Sequence, residues 1–177
     1  MFKKLFISFA IIFCVAACKD NHSCNYEEKS NTLACPEKTY KTINVQNKIW
    51  LAENLNFYEP DSSFCYESDH NNCTEYGRLY DFNTAKIACP VGWRLPTKQE
   101  FVELFSNKKV NEISEFDLKL AGFRYYDGNF ADKNKSASFW SADEYDVSRA
   151  TLVRIQEEIS YEHFNKNIAA SVRCVKD

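Results

Sequence analysis

Thr97-Lys98-Gln99-Glu100-Phe101-Val102-Glu103-Leu104-Phe105-Ser106 carries the sharpest local signal in the chain. Thr97 can accept from the amide three residues on, and Glu100 can reach back to the Thr97 amide, which is a capping box. Phe101, Leu104 and Phe105 follow at i, i+3 and i+4, so an amphipathic helix is expected over 98–106. Upstream, a short helix from Thr84 to Ala88 is expected, capped by Asn83 and ending before Cys89-Pro90. Beyond residue 117 the apolar period shifts towards two. Phe123 to Tyr126, the turn Asp127-Gly128, and Asn129-Phe130 read as a hairpin. Ser138 to Trp140, Ala150 to Ile155, Ile159 to Phe164 and Ser171 to Val175 read as further strands. Another hairpin opens the ordered region at Thr39, with Tyr40 to Val45 and Ile49 to Leu51 flanking a turn at Asn47. One or two short helices among many strands define an α+β class, a single compact domain with a mainly antiparallel sheet.

Bulk properties agree with one globule. The chain has 177 residues, 45% of them hydrophobic and 27% charged, with only 4 Gly and 4 Pro. Collagen-like and linker-like compositions are excluded. Lys+Arg 22 against Asp+Glu 25 leaves a net charge of −3 and no basic block. Nucleic acid is therefore not expected as a partner, because its affinity comes from clustered cations on phosphates.

The first residues carry an address. Lys3 and Lys4 precede an apolar run from Leu5 to Ala17 broken only by Ser8. The run falls short of the ~20 residues a bilayer span needs, so 1–17 is expected to be a signal peptide. Val15-Ala16-Ala17-Cys18 resembles the bacterial lipoprotein lipobox. That resemblance implies cleavage before Cys18, palmitate and other acyl chains on Cys18, and attachment to a membrane outside the cytoplasm. Lys19 in the next position implies, within that family, the cell outer membrane. Residues 18–37 are polar and without apolar period, and read as a tether.

Cys14 leaves with the signal and Cys18 takes lipid, so six cysteines remain. In an oxidising compartment an even number reads as disulfides, and six allow fifteen pairings between which sequence does not choose. Close spacing favours Cys24–Cys35 and Cys65–Cys73, which leaves Cys89–Cys174. The competing reading is a zinc site at Cys65, His70 and Cys73, but a fourth ligand is not nearby. No metal and no cofactor are expected.

Six stretches in order carry a resemblance. They are Thr39 to Thr42, Trp50 to Leu55, Tyr76 to Tyr80, Ala88 to Thr97, Phe139 to Asp146 and Ser171 to Val175. Together, over about 38–177, they resemble the Fibrobacter succinogenes major paralogous domain. Gly92-Trp93-Arg94-Leu95-Pro96-Thr97 and the Val172-Arg173-Cys174-Val175 end are also similar to the sulfatase-modifying-factor and C-type-lectin-like group. That wider resemblance implies a C-type-lectin-like fold, terminal strands side by side, and a bridge from the helical region to the last strand. Such a bridge agrees with Cys89–Cys174. It also places Trp50 and Trp93 in the core.

Catalytic chemistry finds little support. Asp143, Glu144 and Asp146 cluster, but nothing shows two carboxyls facing one sugar as glycoside hydrolysis requires. The same oxygens suit calcium only in part, and the ligand triplets of calcium-dependent lectins are absent. His22, His70 and His163 lie in no Ser/His or Cys/His signature and read as surface residues. Formylglycine-generating chemistry needs reactive cysteines, and here each has a plausible disulfide partner. Sugar binding remains: Trp140, Tyr145, Tyr125 and Tyr126 stand beside polar loops, with Asp143 and Glu144 able to orient hydroxyls. The expected function is a lipid-anchored, non-catalytic surface module binding a carbohydrate or protein ligand through loops 59–76 and 127–149. The alternatives are an enzyme distantly like the sulfatase-modifying factors and a purely structural envelope lipoprotein.

Overall fold

The computed structural model describes residues 23–106 and 116–177, so the signal segment, Cys18 and His22 lie outside the described residues. In chain order the strands of the first half are β1 (Asn25–Glu27), β2 (Thr32–Ala34), β3 (Thr39–Val45), β4 (Lys48–Leu51), β5 (Ser63–Phe64), β6 (Leu79–Asp81) and β7 (Trp93–Arg94). Those of the second half are β8 (Phe123–Arg124), β9 (Phe130–Ala131), β10 (Ala137–Glu144), β11 (Arg149–Ile155), β12 (Ile159–Asn165), β13 (Ala169–Ser171) and β14 (Val175–Lys176). Among the described residues the α-helices are α1 (His70–Tyr76), α2 (Phe82–Ala85) and α3 (Lys98–Phe105).

Two sheets result. One runs β1-β2-β3-β4-β14-β7, and the other runs β12-β11-β10-β13-β6-β5 with the β8–β9 hairpin attached to β13. The strand pairings are antiparallel except β10 with β13. The β3–β4 turn uses Gln46 and Asn47, both at positive φ (52° and 63°), as a two-residue hairpin loop of right-handed twist requires. β14 pairs with both β4 and β7, so the last strand lies beside an early one. Trp50, Phe101, Phe105, Phe116, Phe139 and Val153 form one buried cluster beneath α3. Tyr40, Leu51, Tyr80, Phe82, Trp140 and Leu152 form another. Trp50 and Trp93 are both buried.

α3 is built as its sequence dictates. Thr97 Oγ1 accepts from Glu100 N at 3.2 Å, and Glu100 Oε2 accepts from Thr97 N at 2.8 Å. Glu100 also takes both terminal nitrogens of Arg94 at 2.7 Å and Lys48 Nζ at 3.0 Å, with its side chain only 8% exposed. The Arg94 hydrogen bonds, set against burial, hold its carboxyl well below the usual carboxylate range. A folded-state pKa below the unfolded one adds stability above the unfolded value of 4.5, which is lost as pH falls through it. Glu100→Gln should therefore cost about 2–3 kcal/mol at pH 7. The gap between wild type and variant, read as thermal midpoints, should narrow steadily from pH 5 to pH 3.

Five sequence expectations are corrected. The tether 18–37 is ordered from β1 onward: β1 and β2 form a hairpin on β3, Leu33 is buried, and Tyr26 meets Trp93 edge-on at 5.9 Å. Tyr26 and Leu33, one inward residue on each side of a polar turn, make too short a pattern to read as a period. The stapled loop 59–76 contains β5 and α1; that helix buries only Asn72 and Cys73, so it presents no apolar stripe. α2 begins at Phe82 and is capped by Asp81, whose Oδ1 accepts from Thr84 N at 2.9 Å, in place of Asn83. Among the described residues three α-helices replace the one or two expected. Ser171 to Val175 is not one strand: β13 and β14 belong to different sheets, and 172–174 crosses between them.

Candidate functional site

The six cysteines of the described region are joined as Cys24–Cys35, Cys65–Cys73 and Cys89–Cys174. The first closes the β1–β2 hairpin, the second ties a 3-10 turn at Tyr66–Ser68 to α1, and the third ties the segment before β7 to the crossing 172–174. No group of three potential metal ligands occurs among the described residues, and Cys65 and Cys73 are spent on each other.

The aromatic and acidic candidates separate into three environments. Trp140 is completely buried; its Nε1 donates to Tyr80 O at 2.9 Å, and its ring meets Phe82 edge-on at 5.3 Å. A ring without solvent contact offers no face to a sugar, so Trp140 is corrected from ligand residue to core. Tyr125 and Tyr126 lie at the β8–β9 turn, 41% and 73% exposed, with Tyr125 against Phe123 at 4.7 Å. Phe123 in turn meets Phe164. Tyr145 stacks on His163 instead, with ring centroids 3.9 Å apart and planes 16° from parallel. His163 and Phe164 are consecutive in β12 and so point to opposite faces. The Tyr125–Tyr126 pair and Tyr145 therefore do not share a surface.

The carboxylates are engaged within the protein. Asp143 Oδ2 accepts from Lys98 N at 2.5 Å, at the start of α3. The register shift of β10 between Trp140 and Glu144 brings it there, with Ala142 N donating to Pro96 O. Glu144 binds Lys166 Nζ at 2.7 Å and Lys86 Nζ at 2.6 Å, and those bonds bring its carboxyl down to about 2. Asp146 binds Arg149 Nε at 2.8 Å and accepts from the backbone N–H of Ser148 and Arg149, which depress its pKa as well.

What this leaves is Tyr145 on a braced turn. Its N–H donates to Arg149 O at 2.9 Å, and the Asp146 bonds fix the turn that follows. Arg149 and Thr151 face one way on β11, and their β12 partners Asn165 and His163 face with them. The Arg149 guanidinium lies 4.8 Å from the Tyr145 centroid. His163 and Arg149 thus both contact the ring, while 55% of Tyr145 stays exposed. Tyr161, with Lys98 Nζ 5.6 Å from its ring, continues the same face of β12. Chemically this is a fixed aromatic surface edged by cationic and amide donors. His70 opens α1.

Sequence reasoning passed over Asn54, Glu53, Asp117 and Arg173. Arg173 is completely buried; Nε and Nη2 donate to Asn54 Oδ1 at 3.1 and 2.6 Å, and Nη1 donates to Phe116 O at 2.7 Å. Its guanidinium carbon lies 4.2 Å from the Phe116 ring centroid. Burial pushes its pKa down to about 9, which leaves it charged at neutral pH, with Asp117 and Glu53 the acidic groups acting against the shift. Asn54 Nδ2 donates to Tyr76 O and Ser171 Oγ, so one amide joins three of the six family stretches. Gly77 is required beside it, at φ 76° with a Cβ that would fall 2.7 Å from Asn54 Cβ. A lone Arg between two apolar residues gives no sign from sequence that it is buried.

Fold and site define a disulfide-braced α+β protein. Its three bridges place it in an oxidising, extracytoplasmic compartment. Residues 103–176 match the family model described as the Fibrobacter succinogenes major domain. No curated protein and no solved structure matches the chain. Among the described residues no helix is long and apolar enough to cross a membrane.

Proposed function

We propose that this chain is a lipid-anchored, non-catalytic surface module of C-type-lectin-like fold that binds a carbohydrate through the loop segment 127–149. The observation that carries the reading is the Tyr145 ring, stacked on His163, braced by Arg149 and open to solvent. A preorganised ring surface meets the apolar face of a pyranose without an ordering cost, and flanking donors select its hydroxyls. The lectin-like architecture is supported by β14 lying beside β4 and by the Cys89–Cys174 bridge. Attachment through Cys18, at the outer membrane, is supported by the lipobox sequence. The non-catalytic reading is supported by the six sulfurs bound in disulfides and by carboxylates already paired with cations.

A glycan array probed with the full-length chain in detergent tests it. Wild type and Tyr145→Phe should bind a common set of glycans. Tyr145→Ala should bind that set about tenfold more weakly, the loss expected for one aromatic contact. An array without binding, or equal binding by Tyr145→Ala, refutes the proposal; capture of proteins in place of glycans refutes the carbohydrate assignment.

A further inference from the structure

The geometry points to a second binding site, independent of Tyr145: a groove whose two arms meet at Glu53 and Asp117, suited to a neutral oligosaccharide that presents vicinal hydroxyls. One arm holds about 250 Å³ and runs towards Tyr76 and Gly77. The other holds about 770 Å³ and runs along Thr42 and Ile43 of β3 towards the β1–β2 turn. Glu53 and Asp117 line both.

Four of the charges on this groove form two ion pairs, and the remaining lining charges, Lys41 and Glu75, are of opposite sign. Lys38 Nζ lies 2.6 Å from Glu53 Oε2, and Lys119 Nζ lies 3.3 Å from Asp117 Oδ1. Each pair is electrically neutral, so the groove has little net field to attract a free ion. Each pair also sets a strong acceptor and a strong donor side by side at the water boundary. A vicinal diol has the matching arrangement, one hydroxyl donating to the carboxylate while its neighbour accepts from the ammonium. Two such pairs in one groove match two diols on successive sugar rings. The carboxylates are held in place: Glu53 Oε1 accepts from Lys41 N at 3.1 Å, and both acids face the buried Arg173 charge. That last fact gives them a structural role too, which the test must separate from binding.

Thr42 supplies the separation. It lines the larger arm, is 6% exposed, and its hydroxyl has no hydrogen-bond partner among the described residues. An unpartnered buried hydroxyl weakens the free protein. A turn of about 120° about χ1 would exchange its methyl and hydroxyl, and the proposal requires that this present the hydroxyl to the groove. A group that lowers the stability of the free fold and gains a partner on binding is placed for a ligand.

Calorimetric titration of the full-length chain in detergent, in a Tyr145→Ala background, tests the site. The probes are neutral glucose, xylose and N-acetylglucosamine oligomers of two to four rings, each beside its per-O-methylated form. At least one free oligomer should bind and its methylated form should not. Lys38→Gln/Lys119→Gln should weaken binding at least tenfold at an unchanged thermal midpoint. Thr42→Val should lower affinity at least threefold while its midpoint holds or rises, and Thr42→Ser should bind as wild type. If the lysine variant unfolds, the Thr42 pair decides alone. Lack of binding by every oligomer, equal binding of methylated forms, or unchanged affinity in Thr42→Val overturns the proposal. Loss of all oligosaccharide binding on Tyr145→Ala alone overturns it as well, and leaves the Tyr145 surface standing.

Discussion

Replacing Arg173 by methionine should lower the free energy of unfolding by about 3–5 kcal/mol, among the largest single-residue effects in this protein. Methionine fills much of the same volume, so the loss does not come chiefly from a cavity. It comes from acceptors left behind. Asn54 Oδ1 and Phe116 O lose their donors inside the protein, where water does not replace them. Asn54 then has less reason to hold its position against Tyr76 O and Ser171 Oγ, so the cost spreads to two further segments. Relief of burying a cation offsets part of this, which keeps the estimate below the sum of the separate bonds. Arg173→Lys should cost about 2–3 kcal/mol, because an ammonium retains the charge but loses the planar fork that reaches Asn54 and Phe116 together. Urea titration gives both values; the midpoints should fall in the order wild type, Lys, Met with similar slopes. A Met variant within about 1 kcal/mol of wild type refutes the stabilising role assigned to the Arg173 bonds to Asn54 and Phe116.

Opening Cys89–Cys174 with paired Ala substitutions should cost about 4–5 kcal/mol. The bridge spans a separation of 85 residues, and chain entropy lost from the unfolded state grows with the logarithm of the closed loop. By the same relation Cys65–Cys73 and Cys24–Cys35, separated by 8 and 11 residues, should each cost about 2.5–3 kcal/mol. Denaturation midpoints of the three double-Ala variants test the ranking. A long-bridge variant no less stable than the short-bridge variants refutes it. The effect is expected to compound with Arg173, since residues 173 and 174 are neighbours and their contributions are not independent.

Much of the local structure was legible. The capping box at Thr97 and Glu100 reads directly because both partners lie within one turn of chain. The β3–β4 and β8–β9 hairpins read because alternation and turn residues are contiguous. Even the disulfide pattern followed partly from spacing. The candidate ligand residues fared less evenly. Trp140, Tyr125, Tyr126 and Tyr145 look alike in sequence, each an aromatic near polar residues, yet one is core and the others lie on different surfaces. Exposure depends on what packs opposite a side chain, and for Trp140 that is Phe82 and Tyr80, some sixty positions earlier. Asp143 reads as a loop acid, but a β-bulge carries it to the helix start at Lys98.

By itself the sequence determined the elements whose causes lie within a few residues: the helix after Thr97, the two-residue period of the strands and the short cysteine loops. Only the tertiary structure decided that 171–175 divides between two sheets, that Arg173 is buried on Asn54, and that Glu53 meets Asp117 across a groove. The reason is range. Hydrogen bonds of caps and turns form between near neighbours, whereas burial and charge pairing depend on residues that only the folded chain brings together.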